Sequence, residues 1–145
     1  MIHLANDHGG YSLGMKLFSK MVEKKLHISH HGCCSSDIST DYPVFAKRVV
    51  EEVQFLDYAV GILICGTGIG ISMAANRYDS IRAAVCHNVT YAKLAREHND
   101  ANILVLPGRF MEFDDAWAIT KTFLKTKFSQ EDRHIKRLEM FGRSK

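Results

Sequence analysis

The sequence predicts an α/β fold of three layers, in which a five-stranded parallel sheet is covered by helices on both faces. Three observations predict it. Short apolar runs alternate along the chain with stretches whose apolar residues recur every three or four positions, the spacing of an amphipathic helix. The runs carry few polar interruptions, as strands buried on both faces do. Glycine and polar residues gather directly after the runs, and open parallel sheets bind ligands beyond the carboxyl ends of their strands. One core suffices for 145 residues, so a single domain over residues 1–145 is expected, without internal repeat or linker.

The first strand is expected at Ile2 to Asn6, followed by a helix with Leu13, Leu17, Met21 and Val22 on its apolar face. His27 to His31 forms the second strand, and Phe45, Val49 and Val53 mark the next helix. The third strand, Ala59 to Cys65, runs into a glycine-rich segment and a helix through Met73 and Ala75. Ile81 to Cys86 is the fourth strand, followed by a helix around Tyr91 to Ala95; Asn102 to Leu106 is the fifth. Two helices close the chain, at about Asp114 to Leu124 and about Glu131 to Phe141. Strands separated each time by a helix are the pattern of a parallel sheet.

The composition, 46% hydrophobic and 24% charged, is that of a soluble globular protein. No apolar run approaches the ~18 residues of a membrane helix, and the N-terminus has no secretory pattern. A cytosolic protein without membrane contact is therefore expected. The four cysteines, Cys33, Cys34, Cys65 and Cys86, follow no disulfide-scaffold spacing, and reduced thiols fit that location. A net charge of +3 falls short of the basic face that nucleic acid requires. The positive charge is uneven, with eight Lys or Arg against three acids from Lys121 onward.

The most informative stretch is LICGTGIGIS, residues 63–72, where a strand ends in a thiol and glycines follow at every second position. Gly66, Gly68 and Gly70 at a strand-to-helix junction can aim amides at an anion, or can serve only a tight turn. The spacing matches neither the dinucleotide fingerprint nor a P-loop. Cys65 at the mouth of such a cradle stands before a helix N-terminus and aligned amides, a setting that suits a nucleophile or a proton-transfer base; the alternative is an inert cysteine finishing a buried strand. A cysteine phosphatase of the C-x5-R type is excluded because Ile71 stands where its arginine belongs. Asp7-His8 follows the first strand and His98-Asn99 the helix after the fourth, and histidine suits proton transfer near neutral pH. Arg133 and Arg137, at i and i+4, share one helical face, either a solvated basic surface or a grip on phosphate. The run from His27 to Cys34 fits no zinc spacing, and strand alternation keeps its side chains from converging, so no metal is expected. A thiol, oxyanion-binding amides, a histidine acid and paired arginines suit proton abstraction beside the carbonyl of a small phosphorylated substrate, while the spacing also leaves a binding module or a phosphatase open.

In their order and spacing, ANDHGG, STDYP, ILICGTGIGISMAANR, IRAAVC, AREHNDANILVLPGR and RHIKR resemble the ribose-5-phosphate isomerase B family, from Ile2 to about Phe141. That family also contains galactose-6-phosphate and allose-6-phosphate isomerases. The resemblance implies a Rossmann-like fold and an aldose-ketose isomerase interconverting ribose 5-phosphate and ribulose 5-phosphate without metal or cofactor. The alternatives are allose 6-phosphate or galactose 6-phosphate as substrate, or an idle sugar-phosphate-binding protein. It implies that Cys65 is the base moving a proton between carbons 1 and 2, with Gly66, Thr67, Gly68 and Gly70 stabilising the enediolate. His98 would open the furanose ring, Asp7 assist at the sugar, Tyr42 line the site and Asn99 bind hydroxyls. His8, Arg109, Arg133 and Arg137 match the phosphate-binding set. Members are homodimers, some of them tetramers, with sites built from both chains, so His98, Asn99 and Arg109 are expected to serve the partner's site. A second branch has a glutamate base at the position of Ile71, and this chain fits the cysteine branch. The segment from His30 to Thr40 departs from the family pattern.

Overall fold

The computed structural model describes residues 1–56 and 58–141. Five strands, β1 (Ile2–Asn6), β2 (Ile28–His30), β3 (Val60–Cys65), β4 (Ala83–Val85) and β5 (Ile103–Pro107), form one sheet in the order β2-β1-β3-β5-β4. Every pairing is parallel. The helices between and after them are α1 (Tyr11–Glu23), α2 (Tyr42–Val53), α3 (Ile69–Ala75), α4 (Val89–Asn99), α5 (Phe113–Lys125) and α6 (Asp132–Leu138). The expected Rossmann-like sandwich is therefore present.

Successive strand side chains point to opposite faces, and the two cores follow that alternation. On one face Leu4, Ile62, Ile64, Leu104 and Leu106 meet Leu13, Leu17 and Met21 of α1, Ala92 and Ala95 of α4, and Ile119 and Phe123 of α5. On the other, Ala5, Leu63, Cys65, Ile103 and Val105 meet Phe45, Val49 and Val53 of α2 and Ile71 and Ala75 of α3. Truncating a fully buried leucine such as Leu63 to alanine costs about 2–5 kcal/mol by the usual core rule. Cys65 thus belongs by register to the α2/α3 face.

Local chemistry sets the helix boundaries. Asn88 caps α4 by accepting the Tyr91 N–H at 3.0 Å, and Pro43 enters the first turn of α2, where a missing N–H is harmless. Asp114 and Asp115 occupy the first turn of α5 and Lys125 its last, complementing the helix dipole. No helix among the described residues is long and apolar enough to cross a membrane.

Four expectations need correction. Val22 faces solvent at 52% exposure, because α1 seats only Leu13, Leu17 and Met21 on the sheet. The fourth strand is confined to Ala83–Val85 rather than Ile81 to Cys86, and the second to Ile28–His30. The last helix ends at Leu138, short of Phe141. A 3-10 turn at His8–Gly10 precedes α1, where the Asp7 carboxylate accepts the Gly10 N–H at 2.9 Å.

Candidate active site

The chain leaves β1 outward to β2, then returns past β1 to add β3, so the sheet order reverses between β1 and β3. In such sheets the crevice beyond the strand ends at this point is the ligand site. Asp7, His8, Cys65 and the glycine loop all lie there. The Asp7 N–H donates to Ile64 O at 3.1 Å, stitching the two strand ends together.

Cys65 ends β3 opposite Pro107 of β5. Its Sγ accepts the Gly68 N–H at 3.2 Å, while only 4% of the residue is exposed. The sulfur therefore sits at the upper margin of the α2/α3 core with a main-chain donor on it. That donor is aimed by Gly68, the N-cap of α3, whose φ of 77° lies in the left-handed region that a Cβ disfavours. Thr67 is exposed, and its Oγ1 accepts the Ile69 N–H at 3.2 Å, bracing the same turn. Gly70 makes room for Tyr42: a Cβ at residue 70 would lie 2.6 Å from the tyrosine Cζ. Tyr42, 38% exposed at the start of α2, thus lies against the loop that carries the thiol's donor.

Asp7 is buried, with Oδ1 engaged by Gly10. Half-buried His8 makes two reciprocal bonds with Thr40: its N–H donates to Thr40 Oγ1 at 3.1 Å, and its Nδ1 accepts the Thr40 N–H at 3.1 Å. An Nδ1 that accepts carries no proton, so the neutral ring holds its proton on Nε2. Arg109, exposed after β5, donates its N–H to Gly66 O at 3.0 Å. Its Cδ would lie 3.4 Å from a Cβ at Gly66, which puts the guanidinium stem alongside the loop.

The remaining candidates stand elsewhere. His98 and Asn99 end α4, just before β5 begins, and Asn99 O accepts from Arg82 Nε at the entry to β4. They lie at the amino edge of the sheet, and a five-residue strand at about 3.3 Å per residue separates them from the Cys65 edge by roughly 16 Å. Arg133 and Arg137 lie on α6, which joins that same edge: the His134 ring stacks on His98 at 4.2 Å between centroids, and Ser129 N–H donates to Glu97 O. Arg133 is exposed and paired with Glu131 at 2.8 Å. Within the chain Arg109 accordingly lies beside the Cys65 loop, apart from His98 and Asn99.

Two residues at these edges were not singled out from the sequence. Thr40 was visible only as part of STDYP, since nothing local ties it to His8, 32 positions away. His134 is 2% exposed, with Nδ1 2.8 Å from Ser129 Oγ. Burial first, then the neighbouring His98 and Arg133, holds its pKa below the usual histidine value. Of the other cysteines, Cys33 is buried with Asn6 Nδ2 donating to its sulfur at 3.3 Å, Cys34 is exposed, and burial pushes the Cys86 thiol up to about 12. All four are free. The histidines at the end of the second strand and just beyond it diverge: His30 Nε2 lies 2.8 Å from Asn6 Oδ1, whereas His31 turns to Ser29 and His3.

Known proteins resemble this chain over nearly its whole length. Residues 2–141 match the family described as Ribose/Galactose Isomerase. Ribose-5-phosphate isomerase B of Escherichia coli is 38% identical over 133 residues, covering 92% of this chain and 88% of that protein. A crystal structure of a ribose 5-phosphate isomerase from Thermotoga maritima superposes with a TM-score of 0.91 at 45% identity, covering 95% of this chain and 94% of the other. Ribose 5-phosphate isomerase B from Anaplasma phagocytophilum gives 0.89 at 41% identity, with 95% and 93% covered. With a match that runs nearly end to end and a sheet that superposes on these isomerases, the chain is an isomerase belonging to the ribose/galactose isomerase family.

Proposed function

We propose that this isomerase interconverts ribose 5-phosphate and ribulose 5-phosphate by ring opening and a 1,2-proton transfer through an enediolate, with Cys65 as the base. The observation that carries the reading is the Cys65 sulfur at the switch-point crevice with the Gly68 N–H on it. Names of the relatives supply the substrate class: the Escherichia coli and Thermotoga maritima proteins are ribose-5-phosphate isomerases.

In this reading the Cys65 thiolate takes the proton from carbon 2 of the open-chain aldose, leaving an enediolate whose charge rests on the oxygen at carbon 1. Main-chain donors of the Gly66 to Gly70 loop, fixed before the substrate arrives, hold that oxygen. Preorganised donors of this kind are worth about 3 kcal/mol each in well-studied enzymes, because they need no reorientation as charge develops. The thiol then returns its proton to carbon 1, and a proton moves from the oxygen at carbon 2 to the oxygen at carbon 1 to give the ketose. Asp7 and Tyr42 contact the sugar, and His8 and Arg109 reach toward the phosphate.

His98, with the ring-opening role, and Asn99, Arg133 and Arg137 come from the far edge of a second copy. A two-fold dimer that sets the carboxyl edge of one chain against the amino edge of its partner builds two equivalent composite sites. The roughly 16 Å between those edges within one chain supports this arrangement.

The test is turnover of ribose 5-phosphate by Cys65→Ala, measured as ribulose 5-phosphate formed. Loss of a positioned base lowers the rate by about 10²–10⁴-fold. Wild-type turnover by the alanine variant would remove the thiol from the chemistry.

A further inference from the structure

We propose that Thr40 is the positioning residue for His8: it holds the imidazole as an Nε2–H donor toward the substrate phosphate and thereby couples the loop before α2 to substrate recognition. The proposal rests on the functional reading above, which puts His8 at the phosphate.

Thr40 engages both ends of the same residue. The His8 main-chain N–H donates to Thr40 Oγ1, and the Thr40 main-chain N–H donates to His8 Nδ1, each at 3.1 Å. The first bond fixes where the His8 backbone lies, and the second fixes which ring nitrogen is bare. A free neutral imidazole samples both tautomers, and only the one with its proton on Nε2 can donate from the far side of this ring. The dianionic phosphate of a sugar phosphate accepts only, so a ring presented the other way would set lone pair against lone pair. With Nδ1 occupied, His8 donates to an anion without having to be protonated first.

The loop that carries Thr40 is itself fastened to the end of β1. Cys33 N–H donates to Asn6 O at 2.9 Å, and the buried Asn6 amide donates to Cys33 Sγ. Residues 33–40 therefore leave from Asn6 and come back to His8, two positions further along. Beyond Thr40 the chain enters α2 with Tyr42, whose ring lies against Gly70. A single segment, Thr40 to Tyr42, thus touches the histidine at one end of the crevice and the glycine loop at the other.

The experiment has two independent readouts. Long-range proton–nitrogen correlation spectra of the intact protein without substrate report the His8 tautomer; a predominantly Nε2–H form is expected, and an Nδ1–H form or an even mixture would overturn the proposal. Kinetics of Thr40→Val, which removes the hydroxyl acceptor, and of Thr40→Ser, which keeps it, report the consequence. Thr40→Val should raise KM for ribose 5-phosphate and the inhibition constant of inorganic phosphate by about fivefold, the worth of one lost hydrogen bond, with kcat little changed and the serine variant near wild type. The valine change should have no further effect on KM in a His8→Ala background, since both alterations act through one interaction. Additive effects, or a fall in kcat with KM unchanged, would reduce Thr40 to a folding role and refute the inference. If the tautomer holds and His8→Ala leaves KM for ribose 5-phosphate and the inhibition constant of phosphate unaltered, the placing of His8 at the phosphate fails rather than the clamp.

Discussion

Replacing Gly68 by alanine tests whether the thiol depends on the turn that follows it. At a φ of 77° an L-residue costs about 1–2 kcal/mol. The added Cβ would meet Val105 Cγ1 at 3.2 Å and Val85 Cγ1 at 3.4 Å, contacts that the valine methyls relieve by shifting a few tenths of an ångström. Strain therefore dominates, and the variant should lose about 1–2 kcal/mol. With an unfolding entropy near 2.1 cal/mol/K per residue over 145 residues, this lowers Tm by about 3–7 °C. The same distortion moves the Gly68 N–H away from Cys65 Sγ, and a lost hydrogen bond to a charged group corresponds to a fall in kcat of about tenfold or more. Differential scanning calorimetry reads the first effect and ribose 5-phosphate turnover the second. A variant that melts within a degree of the parent would contradict the left-handed turn. One that melts low yet turns over at the parental rate would show that the sulfur works without that donor.

Three further outcomes follow from the same geometry. If the sites are composite as proposed, Cys65→Ala and His98→Ala proteins, each strongly impaired alone, should recover about a quarter of wild-type activity when unfolded and refolded together, since half the dimers would be mixed and each would hold one intact site; no recovery would put the whole site in one chain. His3, His30 and His134 are all held below the ordinary 6.5, in each case chiefly by burial. The unfolded chain binds those protons more readily, so stability present above that value drains away as pH falls through the folded values. Tm should decline from about pH 7.5 to about pH 5, with a shallower slope in His30→Gln, and a flat profile would refute the assignment. In native protein near neutral pH, iodoacetamide should modify exposed Cys34 first and Cys86, held at about 12, only after denaturation; mass spectrometry of the digested peptides decides it.

The parts of this molecule governed by neighbours in sequence were legible from the start. The apolar run ending at Cys65, the helical spacing of Leu13, Leu17 and Met21, and the glycines after the thiol each record a local constraint, and each lies where it was expected. What escaped depends on tertiary pairing. Val22 looks like part of the α1 apolar face, but the sheet accommodates only part of that arc. The fourth strand pairs in register only over Ala83–Val85, although its apolar pattern runs from Ile81 to Cys86 and the Cys86 N–H still donates to Val105 O. Thr40 gains its role from a residue 32 positions earlier, and the His98–His134 stack joins two helices whose sequences carry no mark of each other. The separation of Cys65 from His98 is likewise a matter of topology: one ends a strand at the carboxyl edge, the other a helix returning to the amino edge.

The two outermost strands, β2 and β4, are three residues each. So short a row of open amides and carbonyls offers little template for a foreign strand, and short margins are one way natural sheets resist fusing side to side. Copies of this chain are thereby discouraged from joining into a continuous sheet and left to meet through helix surfaces and strand-end loops. The same brevity that guards against fibre-like stacking leaves helix surfaces and strand-end loops as the faces open to other molecules.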